Sequence, residues 1–174
     1  VESTVLDLTE DPPVLLRPGG VPWETLEAVI GHIRVPETDN QASRRSPGTR
    51  YRHYAPQAQL LLALPGEVEP IAARLVMEGR RVGVMTQRPF SMESPNLIMR
   101  AMLLQPEGYA RELFAALREL DALKCEVIVA ETVDEQGLGR AVMDRLRRAA
   151  SSTESARASS RRQITNVEEK TLHG

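Results

Sequence analysis

One cysteine, Cys125, stands among 174 residues. A single thiol cannot close an internal disulfide, and no grouping of Cys and His has the spacing of a metal site. A reducing, cytoplasmic setting is therefore the expectation. Aromatic residues make up only 3% of the chain, so a core has to be assembled from Leu, Val, Ile, Ala and Met. No apolar run approaches the roughly 20 residues needed to span a bilayer. Val1 to Thr9 carries Glu2 and Asp7 and no basic leader, which argues against a signal peptide there. Neither sign of charge dominates: 22 Lys+Arg against 24 Asp+Glu leaves a net charge of −2. That balance supplies no global case for nucleic-acid or membrane binding, which would have to rest on a local patch.

What the chain does contain falls into four stretches. It opens without Met, directly in a strand-like pattern, and reads as the interior of a longer protein. In residues 1–35, Val5, Leu6 and Leu8 favour a strand. Asp11-Pro12-Pro13 is a turn, Val14 to Arg17 a second short strand, and Pro18-Gly19-Gly20 its stop. Trp23, Leu26, Val29 and Ile30 recur at helical spacing, with Gly31 as C-cap. This is too little to bury a core, so the stretch is expected to be the rim of something larger and poorly anchored by itself.

Residues 36–58 are poor in apolar side chains and rich in helix breakers, the signature of an extended linker. Arg44, Arg45, Arg50 and Arg52 make it basic. Residues 59–150 alternate strand and helix patterns. Apolar runs at 59–64, 81–86, 96–104 and 126–131 read as strands, the second being of the fully buried type. Helical faces are marked by Val68, Ile71, Ala72, Leu75 and Val76, by Tyr109, Leu113, Phe114, Leu117, Leu120 and Leu123, and by Leu138, Ala141, Val142, Leu146 and Ala149. This alternation predicts an α/β fold with a small, mostly parallel, Rossmann-like sheet. Residues 151–174, rich in Ser, Thr, Glu and Arg, read as a disordered tail.

Two motifs bear on chemistry. One is Glu2-Ser3-Thr4-Val5-Leu6-Asp7-Leu8 followed by Leu16-Arg17-Pro18-Gly19-Gly20. Ser3 near a strand end offers a hydroxyl to a small polar substrate, although a Ser before Thr-Val is commonly a plain strand residue. Arg17 can meet phosphate oxygens in a bidentate way, or simply reach to solvent. The other motif is Ser46-Pro47-Gly48-Thr49-Arg50-Tyr51-Arg52-His53-Tyr54-Ala55-Pro56. Its tyrosines suit stacking on an adenine and Arg52 suits a polyphosphate; pinning the linker to a domain surface, or contact with single-stranded RNA, are the alternatives. His53 titrates near neutrality in principle, but a lone histidine earns no acid–base role. Cys125 precedes a buried strand and reads as inert packing. Gly137-Leu138-Gly139 is part of a phosphate-loop pattern, explained equally well as a tight strand-to-helix turn, and Asp134-Glu135 before it would repel a phosphate.

The two motifs resemble threonylcarbamoyl-AMP synthases. The first is similar to the end of their YrdC-like catalytic domain, the second to the linker of their long, two-domain members. Gly137 to Leu146 more weakly resembles the last helix of their accessory domain. The resemblance implies a nucleotidyltransferase that condenses threonine and bicarbonate with ATP, accompanied by Mg2+. The product, threonylcarbamoyl-AMP, passes to a partner transferase that modifies tRNA. It implies Ser3 in the threonine site and Arg17 and Tyr54 on ATP. It also implies a lid made of Tyr51, Arg52 and His53, with no catalytic or metal-ligating residue in this stretch. Residues 1–35 would be a fragment of the catalytic domain, 36–58 the linker and 59–150 the accessory domain. The Lys-x-Arg segment that helps hold ATP in the family is not in this sequence, and its one Ser-x-Asn run, Ser94-Pro95-Asn96, lies in the accessory stretch and not in the catalytic one, so the chain alone is expected to be inactive. The alternative is a non-catalytic α/β module that binds a partner protein or a nucleotide.

Overall fold

The computed structural model of the chain describes residues 2–36 and 55–171, with side chains through Glu154. The first stretch forms an antiparallel hairpin of β1 (Val5–Asp7) and β2 (Val14–Arg17), followed by helix α1 (Trp23–Ile30). Val14 and Leu16 pack with Val5 on one side of the hairpin. Gly31 ends the helix as the sequence predicts, at φ 84° and ψ −169°, a conformation open to glycine, with its N–H on Glu27 O. The chain then returns beside β2, where Leu15 N donates to Arg34 O at 2.9 Å and Arg34 N to Pro13 O at 2.8 Å. Ile33 is thereby buried. No residue of α1 is buried, and Val29 and Ile30 are exposed.

The second stretch is a parallel α/β unit. Its elements are β3 (Gln59–Ala63), α2 (Val68–Met77), β4 (Val82–Thr86), β5 (Leu97–Ala101), α3 (Pro106–Ala122), β6 (Val127–Glu131) and α4 (Leu138–Thr171). The four strands pair in parallel in the order β3-β6-β4-β5. Every residue of β4 and β6 is buried. This is why both read as unbroken apolar runs: a central parallel strand is covered on both faces. Alternate residues go to opposite layers. Val82, Val84, Val127 and Val129 meet Val68, Ala72 and Leu75 of α2. Met85, Ile128 and Ala130 face Tyr109, Leu113 and Leu117 of α3 and Val142 and Leu146 of α4. Helices on both faces of a parallel sheet are the α/β layering expected from the sequence.

Gly83 leaves room for the close approach of α3 to β4. A Cβ there would lie 3.0 Å from the Leu120 side chain and 3.1 Å from Cys125 Sγ. Cys125 is free and buried in that layer. Burial raises its thiol pKa and the charge of Arg81 opposes the rise, while Asp121 adds to it; the net direction is up.

Helix α4 extends past residue 150. It runs to Thr171, through most of the stretch whose composition reads as a disordered tail. Residues 151–171 contain neither Gly nor Pro, so nothing in them breaks the helix. Thr153 is buried, and its Oγ1 accepts from Leu60 N on the edge strand β3 at 3.3 Å. Among the described residues no helix is long and apolar enough to cross a membrane.

Candidate functional site

A close backbone crossing creates the site. The segment Glu2 to Thr4 passes over Gly19, where a Cβ would lie 2.3 Å from Ser3 C and Thr4 N and 2.4 Å from Glu2 O. Only glycine fits such an approach. Gly20 N donates to Glu2 O at 2.8 Å. Thr4 Oγ1 donates to Val21 O at 2.6 Å and accepts from Val21 N at 3.2 Å. These bonds fasten the strand entry to the turn after β2. Between them lies an open pocket of about 370 Å³ lined by Glu2, Ser3, Thr4, Gly20, Val21 and Leu26. Its volume is at the small end of ligand pockets.

Of the residues singled out from sequence, Ser3 lines this pocket, and Arg17 stands behind it with Nε donating to Ser3 O at 3.1 Å. The hairpin thus brings Ser3 and Arg17 together across 14 positions. Arg17 braces the backbone that carries the Ser3 hydroxyl. Tyr51, Arg52, His53 and Tyr54 lie outside the described residues.

The sequence reading missed Glu2 and its partner. Glu2 Oε2 accepts from Arg145 Nε at 2.8 Å and from Arg145 Nη2 at 2.6 Å. Arg145 is 1% exposed, on the face of α4 that packs into the core. Its Nη1 donates to Asp144, whose other oxygen accepts from Arg148 Nε at 3.0 Å. Burial works to raise the Glu2 carboxyl, but the hydrogen bond and charge of Arg145 outweigh it, and the pKa lies below the ordinary value. A signal was available: Arg145 sits at helical spacing with Ala141, Val142 and Ala149, and a cation on an apolar stripe calls for a buried counter-charge.

The hairpin and α1 are therefore anchored to the α/β unit, contrary to the expectation of poor anchoring. Besides the Glu2–Arg145 pair, Gly137 N donates to Glu24 Oε1 at 3.1 Å, and the Arg140 guanidinium lies 5.6 Å from the centre of the Trp23 ring. Polar contacts of this kind leave no periodic trace, so the apolar pattern alone could not show them. They also bear on Gly137-Leu138-Gly139. A carboxylate of the chain itself occupies the α4 N-terminus, where a phosphate would otherwise be favoured. Gly137 has φ 55°, and a Cβ on Gly139 would fall 1.8 Å from Asp134 O. Both glycines are accounted for as a tight strand-to-helix turn.

A second polar cluster closes the C-terminal edge of the sheet. Glu131, at the end of β6, is buried. Its Oε2 accepts from Thr86 Oγ1 at 2.6 Å and Gln87 N at 2.8 Å, and its Oε1 from Arg88 Nε at 2.9 Å. The Tyr109 hydroxyl donates to Glu131 O at 3.4 Å, and burial, with the charge of Glu131, pushes its pKa up. Both carboxylate oxygens have partners, so the cluster joins β4 to β6. Among the described residues no three His, Cys, Asp or Glu side chains converge as a metal site.

Comparison with known proteins agrees with this architecture. Residues 21–151 match the family model described as "Threonylcarbamoyl-AMP synthase, C-terminal domain". The chain is 43% identical over 158 residues to the threonylcarbamoyl-AMP synthase of Pyrococcus abyssi and 40% identical over 156 residues to that of Bacillus subtilis. Each match covers 86% of this chain and 45% of the relative. The chain thus spans a little under half the length of these curated relatives. Two solved structures of P. abyssi Sua5 superpose on it. One, of a double variant, has TM-score 0.73 at 41% identity over 88% of this chain and 46% of the other. The second, complexed with L-threonine, has TM-score 0.69 at 42% identity over 87% and 46%. The parallel sheet and the extent of these matches place the chain in the family of the threonylcarbamoyl-AMP synthase C-terminal domain.

Proposed function

We propose that this chain supplies one wall of the substrate pocket, a linker and the accessory domain of an enzyme that forms threonylcarbamoyl-AMP from threonine, bicarbonate and ATP. The observation that carries the reading is the pocket itself. It is framed by Ser3, braced by Arg17, and belongs to a chain similar to a protein solved with L-threonine. In this reading the Ser3 hydroxyl hydrogen-bonds threonine, and the Arg17 guanidinium serves the ATP phosphates while holding Ser3 in place. Residues 1–35 are the closing edge of the catalytic domain, and residues 59–150 form the accessory domain.

The segment Ser46 to Pro56 is the lid over the nucleotide, with Tyr54 on ATP and Tyr51, Arg52 and His53 beside it. Lids of this kind exclude water and commit the substrate. Magnesium enters with the ATP as part of the substrate; the described residues make no carboxylate set for it. The product passes to a threonylcarbamoyl transferase acting on tRNA in the cytoplasm, and this chain makes no stable nucleic-acid or membrane contact of its own.

The test uses the intact gene product with the three substrates, following threonylcarbamoyl-AMP and pyrophosphate release. Ser3→Ala should raise the KM for threonine, and deleting residues 46–56 should depress turnover. Absence of product from the intact protein, or an unmoved threonine KM in Ser3→Ala, overturns the assignment.

A further inference from the structure

We propose that Arg145 is a positioning residue for threonine, acting from the accessory domain through Glu2. The inference rests on the assignment of the Ser3 pocket to threonine and adds a residue that no motif assigns.

Glu2 does two things at once. It lines the pocket, adjacent in sequence to Ser3, and its backbone oxygen takes the Gly20 N–H that shapes the far wall. Its side chain is held by two donors of one guanidinium, at 2.8 and 2.6 Å. The planar fork of Arg145 fixes direction as well as distance, which a flexible ammonium would not. The fork is itself immobilised: it is buried, it donates to Asp144, and Asp144 is held by Arg148. Two carboxylates and two guanidiniums balance in this cluster, so the buried charge is compensated.

Two consequences follow for an amino-acid ligand. The wall that carries Ser3 is tied to α4 of the α/β unit. The Glu2 carboxylate at the rim is also neutralised, and so does not repel the carboxylate of threonine. Loss of Arg145 removes both effects at a distance from any reacting atom. It should therefore weaken threonine while sparing ATP, whose contacts in the proposed site lie on Arg17 and the linker.

The experiment measures KM for threonine and for ATP, kcat, and threonine Kd by titration calorimetry in the intact gene product, with melting temperature alongside. Arg145→Met should raise threonine KM and Kd about tenfold, the scale of a lost charge-assisted hydrogen bond. The KM for ATP and kcat should move by less than about twofold. Arg145→Lys should recover part of the loss. Glu2→Gln, at a half-exposed position, keeps the test open if Arg145→Met fails to fold, and it too should weaken threonine selectively. The double variant should be no worse than the poorer single one.

Overturning results are a threonine Kd within twofold of wild type, an equal loss for both substrates that follows melting temperature, or additive single effects. If Ser3→Ala weakens threonine and the Arg145 and Glu2 variants do not, the positioning role fails alone. If Ser3→Ala is also silent, the pocket assignment fails with it.

Discussion

Glu2 and Arg145 are 143 positions apart in the chain and 2.6 Å apart in the fold. The pair joins the pocket-forming strand entry to the helix that follows the last strand of the parallel sheet. It turns two stretches far apart in the sequence into neighbours with a defined geometry.

The pair should make stability depend on pH with a definite sign. The folded Glu2 carboxyl lies below its ordinary value. Its contribution is therefore full above the ordinary carboxylate range and is lost as pH falls through the lowered folded value. Thermal melts of this chain and Glu2→Gln between pH 8 and 3 should differ at neutral pH and converge in acid. The gap at neutral pH should be on the order of 1 kcal/mol, discounted for the 44% exposure of the Glu2 side chain. A gap that persists unchanged in acid would show that the charge does not carry the effect.

Gly19→Ala and Gly20→Ala should behave differently despite being adjacent. The Gly19 Cβ would collide with backbone at 2.3 Å, whereas the nearest atom to a Gly20 Cβ, Glu2 O, is 3.8 Å away. Gly19→Ala should cost about 1–3 kcal/mol or more and distort the pocket, abolishing the threonine binding proposed for the intact protein. Gly20→Ala should leave both near wild type. Chemical denaturation and calorimetry read the contrast, and equal behaviour of the two variants would contradict the crossing.

Thr86→Val should destabilise the α/β unit by about 1–3 kcal/mol, the cost of leaving buried polar groups short of partners. Valine preserves the volume but removes the donor to Glu131 Oε2 and the acceptor of Arg88 N at 3.1 Å. Urea unfolding monitored by circular dichroism checks this, and a midpoint equal to wild type would argue against the cluster as a clamp between β4 and β6.

Cys125 should resist alkylation in the native state. Its thiol is buried and its pKa is raised, so little thiolate forms near neutrality. Iodoacetamide at pH 8 should label it slowly in buffer and fully in denaturant, as read by mass spectrometry. Fast labelling of folded protein would place the thiol at the surface.

The parallel sheet was legible because burial on both faces leaves a compositional mark. Val82 to Thr86 and Val127 to Glu131 are dense in apolar, β-favouring residues, and helical periodicity around Leu113 and Leu146 marked the layer above them. Ser3 and Arg17 were legible singly, from the motifs that carry them; that the hairpin brings them together was decided by the structure.

By itself, then, the order of residues determined which segments are strands and helices, the α/β class, and the motifs that resemble a synthase. Local propensity and hydrophobic period are written in neighbouring residues. Only the tertiary structure decided that Glu2 meets Arg145, that Glu24 caps the turn at Gly137, and that the backbone crosses over Gly19. Ion pairs, caps and backbone crossings join residues far apart in the chain, and their energies depend on distance and burial, which a linear pattern does not contain.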